Sequence, residues 1–244
     1  MKKLFSVVAV LAMSVGLMAV LSTPAEAARW NLSSPFAREV VKRGQYDKDT
    51  YNIEHVRELQ YRLKWLGLLR ANATGYFGDE TRRAVKRFQK RIGVRQTGVV
   101  NYYTWKPLIK RTVRGKRFVP RACRGGGWHA CYDRRRHQVT LYRNGRMHNS
   151  WLVRGGSYSN QTRTGDFTVF RRSKWHRSNL FDGAPMPYSQ FFSGGQALHG
   201  SRYMTDPFEG HSHGCVNMYT EDARQLWNLT HDRRLRVHVH GRWS

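Results

Sequence analysis

The chain changes its hydrophobic period part-way along, which restricts it to a helical unit followed by a strand-rich one. From Ile53 to Leu66 the apolar residues Ile53, Val56, Leu59, Leu63 and Leu66 recur every three or four positions, with Arg57, Glu58, Arg62 and Lys64 filling the other face. This spacing predicts an amphipathic helix closed by Gly67. A second helix is predicted from Asp79, read as its N-cap with Glu80 in the first turn, through Ala84, Val85, Phe88 and Ile92 to Gly93. A shift of 29 residues lays Val56 on Val85, Leu59 on Phe88, Gln60 on Gln89 and Leu63 on Ile92, so the helical unit is internally repeated. A third short helix from Tyr103 to Ile109 would close the bundle, with Pro107 limiting its regularity.

The stretch from Arg111 to Arg124 is basic and irregular, and Pro120 and Gly125 to Gly127 mark a linker over 111–127. Beyond it the period becomes two. "HQVTLYRNGRMHNSWLV" alternates on both sides of Asn144 and Gly145, a strong hairpin signal, and "GDFTVFRR" and "RLRVHVHGRW" also read as strands. One helix interrupts them from Thr220 to Leu229, with Thr220 as N-cap and Glu221 and Asp222 in its first turn. The expected fold class is therefore α+β, a small three-helix domain followed by a mainly β domain. The expected boundaries are 1–27 leader, 28–52 N-terminal segment, 53–110 helical domain, 111–127 linker and 128–244 β domain.

Lys2 and Lys3, an apolar run from Leu4 to Leu21 and an Ala-Glu-Ala exit make a secretory signal, with cleavage expected after Ala27. No later stretch is apolar enough to span a bilayer, so no stable membrane insertion is expected once the signal is removed. The formal net charge is +27, which calls for polyanionic partners. Export argues against nucleic acid and leaves anionic wall polymers or membrane surfaces. Three cysteines in an oxidising compartment leave one unpaired. Cys123 and Cys131 flank a glycine-rich turn, and a bridge between them would stabilise by about 2.5 kcal/mol in the chain-entropy account. Cys215 would then be the free thiol.

Around Cys215 the chain reads "HGSRYMTDPFEGHSHGCVN", residues 199 to 217, and three chemistries compete. His199, His211, His213 and Cys215 are a candidate metal set, although no second CxxC or HExxH accompanies them. The thiol and imidazoles are equally open to a packing role. The third reading is a thiol nucleophile. It needs a neighbour that takes the proton, and His199 is the candidate base; Gly214 before the sulfur lets the main chain approach a substrate carbonyl. Ser212 lacks the surroundings of a serine nucleophile and reads as a hydrogen-bonding residue.

Two family resemblances rest on these residues. "VRELQYRLKWLGLL", "GYFGDETRRAVKRFQKRIGV" and "TGVVNYYTWKPL" together resemble the small three-helix peptidoglycan-binding domain. "ALHGS" at 197–201 followed by "SHGCVNM" at 212–218 resembles the L,D-transpeptidases of the YkuD type, as do "TRTGDFTV" at 162–169 and "MPYSQFFSGGQALHG" at 186–200. Arg163 stands where that family usually has proline, which is expected to loosen the turn.

The resemblance implies a cysteine enzyme, with no cofactor or metal, that cuts a peptidoglycan stem tetrapeptide after its third residue. An amine of a neighbouring stem would then close a 3,3 cross-link. By position Cys215 is the nucleophile and His199 the base, oriented through the Gly200 carbonyl. His213 and Gly214 border the oxyanion site with Cys215, Ser212 and Asn217 shape the substrate side, and Met186 and Tyr188 wall the pocket. A carboxypeptidase acting on the same bond and an inactive wall-binding protein are the alternatives, and a zinc peptidase is the metal-dependent one. The implied partner is peptidoglycan, and the implied location is the cell wall or periplasm.

Overall fold

The computed structural model of the protein describes residues 34–48, 50–51, 53–113 and 119–243. The expected leader, the start of the N-terminal segment and the middle of the linker lie outside the described residues. Among the described residues no helix is long and apolar enough to cross a membrane.

The helical part holds α1 (Val56–Trp65), α2 (Asp79–Arg91) and α3 (Tyr102–Thr112). Leu59, Leu63, Phe77, Val85, Phe88, Trp105 and Leu108 have no exposure and form its core. Burial of side chains this size stabilises by ~1.5–3 kcal/mol each. The sequence repeat has a structural counterpart in its two glutamines. Gln60 accepts from the Gly75 amide at 2.8 Å and donates to Thr81 of α2 at 3.1 Å, and Gln89 accepts from the Gly98 amide at 2.9 Å and donates to Thr104 of α3 at 3.2 Å. Each buried amide side chain thus ties the loop that follows its helix to the next helix.

Three expected helix details change. Helix α1 begins at Val56, not Ile53, because the Asp47 carboxylate caps it from outside, accepting from Val56 and Arg57 at 3.0 and 2.7 Å. Ile53 packs instead with Met204 and Tyr219 of the β domain. The N-cap of α2 is the extended Gly78, and Asp79 is its first helical residue, paired with Arg43 at 2.7 Å. Helix α3 continues past Pro107 to Thr112.

The β domain has nine strands, β1 (Trp128–Asp133), β2 (Gln138–Arg143), β3 (Arg146–Arg154), β4 (Gly165–Thr168), β5 (Arg171–Arg177), β6 (Pro185–Ser193), β7 (Gln196–Gly200), β8 (Val216–Met218) and β9 (Leu235–His240), with α4 (Thr220–Thr230) before β9. The sheet order is β4-β9-β1-β2-β3-β8-β7-β6-β5, and only β1 with β9 and β7 with β8 run parallel. Asn144 and Gly145, with φ of 50° and 70°, turn β2 into β3. Helix α4 closes a core that includes Trp151, Val153, Leu198, Val216, Leu226 and Val237, so the strand-rich part forms a half-barrel around it. Its N-cap is Tyr219; Thr220 is the first helical residue, and its hydroxyl caps nothing. Cys123 and Cys131 are disulfide-bonded with Cα atoms 6.5 Å apart, leaving Cys215 free.

The two parts meet through a buried ionic cluster. Arg38 grips Glu58 with Nε and Nη2 at 3.0 and 3.2 Å, and Arg62 reaches the same carboxylate at 2.6 Å. Both guanidiniums also donate to the Ser150 carbonyl of β3 at 3.0 Å. His55 bridges Glu39 at 2.8 Å and Asp222 of α4 at 3.0 Å. The side chains of Arg38, His55, Glu58, Arg62 and Asp222 have no solvent exposure. Glu58 and Arg62, which the helical period puts on the outer face of α1, are therefore interior. Among the described residues, His55, Glu58 and Asp222 are the one set of three metal-capable groups brought close together. Arg38 and Arg62 already neutralise it.

Burial opposes ionisation of Glu58, but Arg38 and Arg62 overcome it and hold the carboxyl down at about 2. A depressed carboxylate stabilises the fold above its ordinary value near 4.5 and loses that contribution as pH falls toward about 2. Glu58→Gln leaves two buried cations under-compensated and is expected to cost about 3–5 kcal/mol in urea unfolding at pH 7. The gap between variant and wild type should narrow as the pH of the titration is lowered through that window.

Candidate active site

Strands β7 and β8 lie side by side in parallel, with His199 opposite Asn217 and Leu198 opposite Val216. Cys215 immediately precedes β8, two residues before Asn217, so strand alternation turns Cys215, Asn217 and His199 to the same side. All three line one cleft of about 960 Å³. Nδ1 of His199 lies 2.8 Å from the Gly200 carbonyl oxygen, which only accepts, so Nδ1 carries the proton and Nε2 presents a lone pair. Burial pushes His199 down to about 4, with the Gly200 bond opposing and His176 adding to the fall. Burial also raises the Cys215 thiol, partly offset by the Ala197 amide, and the sulfur lies 3.7 Å from the Gly195 carbonyl. The resting pair is consequently a neutral thiol and a neutral imidazole.

The turn before the sulfur is built from close approaches. The Ser212 hydroxyl donates to the Cys215 carbonyl at 2.6 Å and accepts from the Gly214 amide at 3.1 Å, so its bonds are spent inside the loop rather than on a ligand. The Gly214 amide is thereby engaged within the turn. Glycine is needed there for shape: φ is +114°, and a Cβ would stand 2.6 Å from Nε2 of Gln196. Gln196 in turn donates to the Gln161 carbonyl at 2.9 Å and accepts from the Arg163 amide at 2.9 Å. Arg163 therefore does not loosen its turn. It supplies an N–H that proline lacks, and its Nη1 donates to the Ser193 carbonyl at 3.0 Å.

The remaining expected site residues separate. Met186 lines the cleft beside Phe191, Ala197 and Cys215. Tyr188 does not; it packs against Trp175 and Trp227. Its φ of +59° interrupts the strand alternation of β6, turning Tyr188 toward α4 and leaving Met186 and Phe191 on the cleft side. The His213 ring stacks on Phe181, 4.3 Å between centroids, where the 178–184 loop covers the cleft. The His211 ring lies against Trp243. With His199 bonded to Gly200, the four candidate metal ligands do not converge.

Residues absent from the sequence reading also build the site. The loop from Ser201 to Gly214, which joins His199 to Cys215, is held from both sides. Arg154 of β3 donates to the Glu209 and Tyr203 carbonyls at 3.0 and 3.1 Å. From α1, Arg57 and Tyr61 reach the buried Asp206 at 3.1 and 2.8 Å, and Phe208 lies 4.5 Å from the Tyr61 ring. Arg171 and His176 of β5 complete the far wall. Local periodicity gives no signal for these residues, because their partners come from distant strands and from the other domain.

Residues 128–239 match the L,D-transpeptidase catalytic domain family, YkuD, and residues 52–108 match the peptidoglycan binding domain family. Among solved structures, an L,D-transpeptidase from Stackebrandtia nassauensis shares the fold at a TM-score of 0.52 and 24% identity, over 83% of this chain and 96% of that one. An L,D-transpeptidase from Xylanimonas cellulosilytica has a TM-score of 0.46 and 26% identity, over 82% of this chain and 97% of that one. No curated protein matches the chain. The fold is that of a strand-rich catalytic domain behind a three-helix binding domain. The chain therefore carries a YkuD-type L,D-transpeptidase catalytic domain over residues 128–239, preceded by a peptidoglycan-binding domain over residues 52–108.

Two outcomes are expected. Alkylation of Cys215 by iodoacetamide should be slow at pH 7 and climb beyond the ordinary thiol range; a plateau near neutrality would reveal a preformed thiolate and contradict the neutral pair. Arg163→Pro removes a donor from the buried Gln196 and should lower stability by about 1–3 kcal/mol, measured by urea unfolding.

Proposed function

We propose that this peptidoglycan-related L,D-transpeptidase is a secreted enzyme that forms 3,3 cross-links through a Cys215 acyl-enzyme. The observation that carries the reading is the shared cleft of Cys215 and His199, with the imidazole oriented by Gly200 so that Nε2 serves as base. The sulfur attacks the carbonyl carbon of the third stem residue while Nε2 takes the thiol proton. Because the imidazole is a weak base when buried, this transfer accompanies attack rather than preceding it. The oxyanion is received by main-chain amides at the nucleophile turn, with the Cys215 amide assigned first since that of Gly214 is spent. The C–N bond then breaks, the proton passes from the imidazolium to the departing D-alanine amine, and a thioester remains. An amine of a second stem attacks that thioester and restores the thiol. Attack by water would instead release the tripeptide, making the enzyme a carboxypeptidase.

The helical domain holds the enzyme on peptidoglycan, which raises the local substrate concentration without any new contact at the sulfur. A net charge of +27 favours added retention on anionic wall polymers, screened by salt. Export rests on the leader expected at residues 1–27.

Incubation with disaccharide tetrapeptide should release D-alanine from wild type and none from Cys215→Ala; full release by the variant would overturn the acyl-enzyme. Wild type that binds sacculi without release would mark an inactive wall-binding protein. Products formed with and without an added acceptor amine separate transfer from hydrolysis. The rate should fall as pH drops through about 4, where His199 takes up a proton and ceases to be a base.

A further inference from the structure

The cleft is charged on one side only. Its wall includes Arg154, Arg163, Arg171, His176, His199 and His213, and among the described residues no aspartate or glutamate lines it. Two of the three guanidiniums are already engaged: Arg154 with the Glu209 and Tyr203 carbonyls, and Arg163 with Ser193. Arg171 differs. It stands opposite Phe191 in the pairing of β5 with β6, and its guanidinium carbon lies 4.0 Å over the Phe191 ring centroid. Among the described residues no hydrogen-bond acceptor or carboxylate meets it.

Phe191 belongs to the apolar cluster against which Cys215 packs, with Met186 and Ala197. The edge of the same ring meets His176, 5.0 Å away and at 86°. The ring that carries the guanidinium thus belongs to the cluster on which Cys215 rests, and the donor fork of that cation is unspent. Stacking on an aromatic face fixes the plane of a guanidinium while leaving its N–H edge open, the arrangement that receives a carboxylate through two parallel hydrogen bonds.

We infer that Arg171 binds a free carboxylate of the stem peptide, making the cleft selective for anionic stems over their amidated forms. The inference rests on the proposed function and specifies its substrate. Three carboxylates of a tetrapeptide stem share this chemistry: the one on the second residue, the one on the side chain of the diamino acid and the terminal one on D-alanine.

The test is calorimetric titration of the full-length Cys215→Ala chain with soluble disaccharide tetrapeptide, first fully ionised and then amidated at each carboxylate in turn. Adding Arg171→Gln should weaken binding of the ionised stem about tenfold or more. Arg171→Lys should recover part of that loss, since a lysine keeps the charge without the fork. One of the amidated stems should bind weakly to the parent and lose nothing further on Arg171→Gln, which identifies the carboxylate. Unchanged affinity for the ionised stem, or an equal loss for all four stems, would overturn the inference. Binding is read without turnover, so wild type that binds as described but releases no D-alanine would overturn the proposed activity and leave the carboxylate site standing.

Discussion

Arg38, His55 and Arg62 meet Glu58, Asp222 and Glu39 between the helical domain and the sheet, all but Glu39 wholly withdrawn from water. Taking such charges out of solvent costs several kcal/mol per ion, a cost offset only where every partner is in place. The cluster is therefore a poor source of net stability and a strong source of specificity: a slipped or rotated α1 would strand a cation in the interior. Its demands extend to the backbone, for His55 sits at a φ of 50° with its ring fixed on both nitrogens. Once α1 is held this way, Arg57 and Tyr61 project onto Asp206, and the loop between His199 and Cys215 has its outer support.

The catalytic geometry follows from that placement and from the pairing of β7 with β8. Parallel neighbours need a crossover, and here the crossover is itself the loop that delivers Cys215. The Ser212 amide donates to the Gly155 carbonyl and the Ser212 carbonyl accepts from the Ser157 amide, both at 2.9 Å, while the Ser212 hydroxyl closes the turn from inside; adding a Cβ to Gly155 or Gly156 would place it 2.1 or 2.0 Å from existing atoms. A rigid turn suits a pair that rests uncharged. Burial favours the protonated thiol, the form less open to oxidation and alkylation. Among the described residues the cleft is lined by arginines and histidines with no carboxylate, so its field favours an anion.

Much of this organisation is legible in the chain. The repeated glutamines announce the helical unit because a buried amide must find partners, and in both copies it finds the following glycine loop. Asn144 and Gly145 announce their hairpin through backbone conformation alone. The His-Gly and Ser-His-Gly-Cys segments point to one site because few other roles require a glycine and two imidazoles around a thiol. What eluded the sequence is long-range pairing. Glu58 and Arg62 carry the pattern of a solvated helix face, yet their partners lie in the N-terminal segment and in β3. Asp222 resembles a first-turn acid serving the helix dipole and instead faces His55, 167 positions away. Tyr188, a pocket wall by family resemblance, breaks the strand alternation and turns away from the cleft, and Arg163 fills a proline position with a useful amide.

The docking of α1 onto the loop at 201–214 gives the two family segments a shared fate. Inheritance treats them as separable modules, each with its own recognisable pattern, but physically the catalytic half borrows part of its scaffolding from the other. Excising residues 128–239 would bare Asp222 and Asp206 and remove the outer support of the loop that leads to Cys215. Exchange of such a wall anchor between relatives is thus constrained less by its affinity for glycan than by how well it buttresses the enzyme behind it.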